Sequence, residues 1–271
     1  MSDVPDIELR LLLEAIFLRY RYDFRSYSAA SLKRRVARAL IEFECPTISA
    51  LQERVLHDPL TFPKLLQYLT VQVSDMFRDP SFFRTLRTNI VPLLRTYPSL
   101  KIWVAGCSAG EEVYSLAILL KEEGLLDRTM IYATDINGEA LRKAEAGVYP
   151  LDRIAAFTDN HRLSGGHGSL STYYTAGYGS AVFDRSLLKR VVFSDHSLAT
   201  DHVFAEVQLI SCRNVLIYFD RVLQDRALGL FKDALCRRGF LGLGAKESLA
   251  VSRQSASFTD FAPSDRWYQR C

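Results

Sequence analysis

The chain has 271 residues, of which 48% are apolar and 24% charged, and it carries a net charge of +3. Its length suits one large domain or two small ones, either able to bury a core of its own. The composition excludes a disordered chain, a fibrous repeat and a disulfide-dense miniprotein, and so small a net charge argues for no nucleic-acid partner.

Residues 1–70 are expected to be all helical. Leu9, Leu12, Leu13, Ile16, Phe17 and Tyr20 recur at i, i+3, i+4, i+7 and form one apolar stripe. A second helix is expected over about residues 30–43. Leu32, Val36, Ala39, Leu40 and Phe43 would form its apolar face, with Arg34, Arg35 and Arg38 opposite. Ile48, Leu51 and Val55 mark a third helix, and Phe62, Leu65, Leu66 and Leu69 a fourth. No glycine precedes Gly106, which suits a compact helical module. Residues 71–99 then read as a linker and connecting helix.

From residue 100 to the end, strand and helix alternate. Strands are expected at 101–105, 130–133, 190–194, 207–211, 240–243 and near 266–269. Between them lie a helix bearing Val113, Leu116, Ala117 and Leu120 that stops at Gly124, a short one over 138–146, and one bearing Leu223, Ala227, Leu230, Phe231 and Ala234. This alternation argues for a parallel α/β sheet. Residues 164–180, dense in Gly, Ser and Tyr, interrupt it and read as an inserted loop or small antiparallel hairpin.

The N-terminus is acidic (Asp3, Asp6), unlike a secretory signal, and the longest largely apolar stretch, 113–120, falls short of the ~20 residues of a membrane span. Five cysteines without a Cys-x-x-Cys pair read as reduced thiols of a cytoplasmic protein. The histidines at 57, 161, 167, 196 and 202 show no ligand spacing, so no metal is expected.

Two features point to a ligand. Gly106 and Gly110 follow the first strand, where glycines let a ligand approach the backbone, but Glu111 and Glu112 stand where a phosphate binder wants bare amides. Asp135 ends the second strand, a position suited to accept bonds from two ribose hydroxyls. An unphosphorylated ribose beside acids describes a cationic adenosine ligand such as S-adenosylmethionine (SAM).

These residues carry a resemblance. Ala105-Gly106-Cys107-Ser108-Ala109-Gly110-Glu111-Glu112-Val113-Tyr114-Ser115 resembles the SAM motif of CheR-type chemoreceptor glutamate methyltransferases, and Ala133-Thr134-Asp135-Ile136-Asn137 the second-strand motif of that family. Ser211-Cys212-Arg213-Asn214-Val215-Leu216-Ile217-Tyr218-Phe219-Asp220 is similar to a third motif, and Ser74-Asp75-Met76-Phe77-Arg78-Asp79 to the linker motif. Ser31-Leu32-Lys33-Arg34-Arg35-Val36-Ala37-Arg38 fits the basic helical domain. The chain departs from the family pattern at Gln72 and Ser197, where Asn is common, at Val113, and at Gly244-Ala245-Lys246-Glu247-Ser248, where many members have Gly-His-Ser-Glu.

The resemblance implies a helical N-terminal domain, a linker, and a Rossmann-like methyltransferase domain (100–271) with a small antiparallel β-subdomain inserted at about 164–190 that contacts the receptor. The Gly/Tyr-rich stretch, followed by Val182 to Phe193, falls where that subdomain would lie. The resemblance also implies that Asp135 holds the ribose and that Glu111 sits by the methionine amino group. Gln72, Ser74 and Arg78 would close over the cofactor, with Gly106 beneath it and Ser197 and Leu198 along the adenine. Arg213 and Asn214 would line the methyl-transfer pocket, and Tyr218 would face the substrate. Between residues 19 and 38, seven basic side chains oppose Asp23 alone. This charge, with Arg34, Arg35 and Arg38 at its centre, would dock the acidic helices of methyl-accepting chemoreceptor cytoplasmic domains. The expected product pair is a glutamate methyl ester and S-adenosylhomocysteine (SAH), made by a monomer. A SAM-binding sensor or scaffold without turnover, and a methyltransferase acting on nucleic acid or a small molecule, are the alternatives.

Overall fold

The structure is a computed structural model describing residues 3–250 and 252–271. The first seventy residues fold as α1 (Val4–Tyr20), α2 (Ala29–Glu42), α3 (Ile48–His57) and α4 (Thr61–Leu69). Local chemistry sets the ends. The Asp3 carboxylate accepts the Val4 N–H, and Arg21 turns left-handed (φ 66) to stop α1. The Thr47 hydroxyl accepts the Ala50 N–H at the start of α3. Leu12, Ile16, Val36, Leu51 and Leu65 meet in one core.

Arg35 departs from expectation. It lies three residues from Leu32 and four from Ala39, so helical phase places it with them on the buried side, and it is only 6% exposed. Arg34 and Arg38 remain on the solvent face. The basic run is also partly neutralised in space, because Arg25 pairs with Asp23 and Glu14, and Lys33 with Asp6.

An irregular segment, 71–79, leads into α5 (Pro80–Thr85), a wide turn at Leu86–Ile90, and α6 (Val91–Leu94), which follow one another without a break. Then follow β1 (Leu100–Ala105), α7 (Glu111–Glu122), β2 (Thr129–Asp135), α8 (Gly138–Ala146), β3 (Val148–Pro150), α9 (Ile154–Leu163), β4 (Tyr174–Gly177), β5 (Ser180–Phe183), β6 (Val191–Asp195), β7 (Val207–Cys212), α10 (Arg221–Ala234), β8 (Leu235–Leu243), β9 (Phe258–Ala262) and β10 (Trp267–Arg270).

The main sheet runs β6-β2-β1-β7-β8-β10-β9. Its first five strands are parallel, and β10 and β9 close it antiparallel. Chain order reverses between β1 and β7, so the crevice beyond their carboxyl ends is a topological switch point, where open α/β sheets bind ligands. The core beneath includes Ile102, Val104, Val113, Leu116 and Ile131, all buried.

A separate antiparallel sheet, ordered β3-β5-β4, forms the inserted subdomain. It begins at Val148, earlier than the expected 164, because β3 pairs with β5 across the intervening α9. Three residues are too few to show a strand pattern. Val191 to Phe193 belong to β6 of the main sheet and not to the insertion. The β4–β5 turn, Tyr178-Gly179, has positive φ at both positions (50 and 76), the geometry of a two-residue hairpin turn.

Candidate active site

One cavity opens at the switch point, between the helical domain and the sheet. Its walls come from six places: the linker (Gln72, Ser74, Arg78), the turn after β1 (Gly106, Cys107, Ser108), the end of β2 (Asp135, Ile136), the segment after β6 (His196, Leu198), the loop after β7 (Arg213, Asn214, Val215, Tyr218), and the helical domain (Tyr27, Arg35, Leu69). Sequence positions far apart are brought together because most sit at strand ends or on the linker facing them, with the helical domain and the start of α7 closing the remaining sides.

Asp135 lines the cavity at the end of β2. Its Oδ2 accepts the Ser108 N–H at 2.9 Å and its Oδ1 the Asn137 N–H at 2.9 Å. Burial, with Asp195 adding to it, holds its carboxyl above the usual value. Gly106 lies opposite at φ +77, and a Cβ there would stand 2.4 Å from Val215 Cγ2, so only glycine fits. The Gln72 carbonyl accepts the Ser108 hydroxyl at 3.2 Å, tying the linker to this turn. Leu198 lines the cavity as expected. Ser197 does not, because its N–H turns away to the Asp201 carboxylate at 2.9 Å, and His196 takes the wall position instead.

The two acids at the start of α7 divide their work. Glu112 lines the cavity, accepting the Ser211 hydroxyl at 2.5 Å and pairing with Arg213 at 3.0 Å. Glu111, the acid expected at the cofactor, is absent from the cavity wall. It is 1% exposed and pairs with Arg153 at 2.9 Å, while its Oε2 is buried with no hydrogen-bond partner.

Arg213 is a strut. Its guanidinium also reaches the Arg78 carbonyl at 2.7 Å and Asp79 at 2.8 Å, and it lies over the Phe82 ring at 4.1 Å. It thereby fixes the linker turn, where Phe77 and Asp79 both hold positive φ. Arg78 itself makes no ion pair among the described residues and is free to meet an anion.

Arg35 enters the cavity from the helical domain. Its Nη1 donates to the Leu69 carbonyl at 2.5 Å, and its guanidinium centre lies 4.5 Å from the Tyr218 ring centroid. Its Nη2 is buried with no partner, and no carboxylate pairs with it among the described residues. Desolvation accordingly lowers its pKa. Arg34 and Arg38, grouped with it in the sequence, are not on the cavity wall.

The sequence reading assigned no role to Glu247. This carboxylate is 4% exposed and accepts four backbone N–H groups: Val215 (2.9 Å) and Ile217 (3.3 Å) on Oε1, and Asn214 (3.0 Å) and Gly244 (2.6 Å) on Oε2. It fixes the loop that presents Asn214, Val215 and Tyr218. Its place in the Gly-Ala-Lys-Glu-Ser run was the one available signal.

Residues 7–70 match "CheR methyltransferase, all-alpha domain", and residues 72–262 match "CheR methyltransferase, SAM binding domain". The chain belongs to the CheR methyltransferase family. It is 60% identical to the provisionally named methyltransferase Cher3 of Pseudomonas putida, over 98% of this chain and 97% of that one. It is 29% identical to the chemotaxis protein methyltransferase of Listeria innocua, over 91% of this chain and 92% of that one. In fold it is similar to the N-methyltransferase NodS of Bradyrhizobium japonicum solved with SAH, at 12% identity and TM-score 0.41, covering 73% of this chain and 89% of that one, a likeness that carries no argument about function. Membership makes this CheR protein a SAM-dependent protein-glutamate methyltransferase of the chemotaxis type.

Proposed function

We propose that the cavity binds SAM between the linker and the strand ends and aligns a chemoreceptor glutamate for methylation from the side of the helical domain. The observation that carries this reading is Arg35. A buried guanidinium with an open Nη2 on the wall of a SAM cavity is a receptor for a carboxylate, the group to be methylated.

The residues present fit the cofactor. Asp135 offers acceptors to ribose hydroxyls, Leu198 an apolar face to adenine and Arg78 a free cation to the carboxylate, and of the two acids at the start of α7 it is Glu112 that lines the cavity. SAM supplies a methyl group on a sulfonium, which a carboxylate attacks without help from a base. An ordinary glutamate is already ionised at pH 7, its reference pKa being about 4.3. The protein's task is therefore alignment and exclusion of water. Arg35 and Tyr218 orient the incoming carboxylate, Asn214 and Val215 shape the passage, and the strut at Arg213 keeps linker and loop at fixed separation.

Outside the cavity, Arg34 and Arg38 on the exposed face of α2 lie where an acidic receptor helix would run. The partner is the cytoplasmic part of a methyl-accepting receptor, and the enzyme works as a monomer in the cytoplasm. None of its described helices is long and apolar enough to cross a membrane. Transfer of label from SAM to receptor fragments, compared with fragments whose acceptor glutamates are replaced by glutamine, tests the proposal. Label should enter only the glutamate form, and equal labelling of both would contradict it.

A further inference from the structure

Asp135 and His196 stand side by side on one stretch of the cavity wall. β2 and β6 pair in parallel with Asp135 opposite Asp195, and the next N–H, that of His196, donates to the Asp135 carbonyl at 3.4 Å. Asp135, His196 and Leu198 all line the cavity. With ribose at Asp135 and adenine along Leu198, the base passes beside His196.

The His196 ring is held from three sides. It is buried and packs T-shaped against Trp103, with centroids 5.2 Å apart, and against Phe204 at 5.3 Å. Trp103 is itself tied to the Thr134 hydroxyl through its indole N–H at 2.8 Å. Nε2 of His196 lies 3.1 Å from the His202 carbonyl. A carbonyl only accepts, so Nε2 carries the proton. In the neutral imidazole Nδ1 is then an acceptor, and it is buried with no hydrogen-bond partner among the described residues. A bare buried acceptor is costly, and a donor on a ligand relieves it. Adenine carries one such donor, its 6-amino group, since its ring nitrogens only accept.

We propose that His196 selects the base of the cofactor: its Nδ1 accepts a hydrogen bond from the adenine 6-amino group. The proposal rests on the reading that SAM occupies the cavity with its ribose at Asp135. A 6-oxo base in the same place would set its carbonyl oxygen against Nδ1, acceptor against acceptor, and be rejected.

Calorimetric titration of the full chain with SAH and with S-inosylhomocysteine, which carries a 6-oxo group in place of the 6-amino group, reads this selection. Wild type should bind SAH about tenfold or more tighter than the 6-oxo analogue. His196→Phe keeps an aromatic ring against Trp103 and Phe204 but has no acceptor, and should bring the two affinities within about threefold of each other. His196→Asn sets an amide oxygen near the place of Nδ1 and should restore most of the preference. A ring that serves packing alone would, when replaced, weaken both ligands alike and leave their ratio where it was. Equal affinities in wild type overturn the proposal, as does a ratio unchanged in His196→Phe. If His196→Phe does not fold, the same ratio in His196→Leu decides. Wild type that binds neither ligand removes SAM from the cavity, and the underlying reading fails with the proposal. SAH binding without preference for its base sinks the proposal alone.

Discussion

Replacing Glu247 by glutamine removes one charge and turns one acceptor oxygen into an amide donor. The carboxylate now takes four backbone donors, two on each oxygen. The glutamine carbonyl can keep one pair. The amide nitrogen must then face the other two N–H groups, donor against donor. An unsatisfied buried donor costs about 1–3 kcal/mol, so two cost about 2–6. The neutral side chain recovers part of that, because burial already disfavours the Glu247 anion and holds its pKa above the ordinary value. A net loss of about 2–4 kcal/mol remains, well outside the ±0.5 kcal/mol of an ordinary surface change. Urea unfolding of Glu247→Gln measures it. Methyl transfer should fall in the same variant below its unfolding midpoint, since Asn214 and Tyr218 hang from the same loop. Stability within about 0.5 kcal/mol of wild type, with full activity, would refute the claim that this carboxylate holds the loop.

Further outcomes follow from the same geometry. Asp135→Ala should weaken SAM about a hundredfold or more by calorimetry, the loss of two hydrogen bonds to a charged group at about 1.5–3 kcal/mol each. In the wild type, SAM affinity should decline on acidification while the pH is still above the ordinary aspartate value of 3.8, because burial raises the Asp135 pKa and the ionised form is the one that accepts both hydroxyls. Affinity that stays flat through that range would remove Asp135 from the ribose. Arg35→Met should lower kcat/KM for a receptor fragment about tenfold or more while SAM affinity, measured alone, changes little. Gly106→Ala meets Val215 at 2.4 Å and holds an unfavourable φ of +77, so a loss of about 2 kcal/mol and a fall in Tm of about 4–8 °C are expected by calorimetric scanning.

Much of the architecture was legible where periodicity is strong. The α1 stripe, the alternation from residue 100 onward and the positions of Gly106 and Asp135 at strand ends all follow from spacing and residue type. The misplacements have physical causes. Charge alone points Arg35 to the solvent face, although its phase with Leu32 and Ala39 puts it beside the core, where it reaches the cavity wall. Glu111 and Glu112 are neighbours about a third of a helical turn apart, and sequence alone does not say which of them meets the cavity. Ser197 and His196 differ in the same way at the exit of β6. The start of the insertion was missed because β3 has three residues and α9 buries a polar side chain, His161, on its inner face. Glu247 and Arg153 are hard to read locally: apart from Gly244, the partners of Glu247 lie 30 or more residues away, and the hydrogen-bond partners of Arg153 lie 42 or more away, so both become visible only in the fold.

The central claim is that this chain makes glutamate methyl esters on a receptor helix. The most direct measurement is transfer of labelled methyl from SAM to receptor cytoplasmic fragments, followed by mild alkali. The account predicts label that is released as volatile methanol and that maps to glutamate-bearing peptides. Label that survives alkali, or that resides on another side chain, would contradict it.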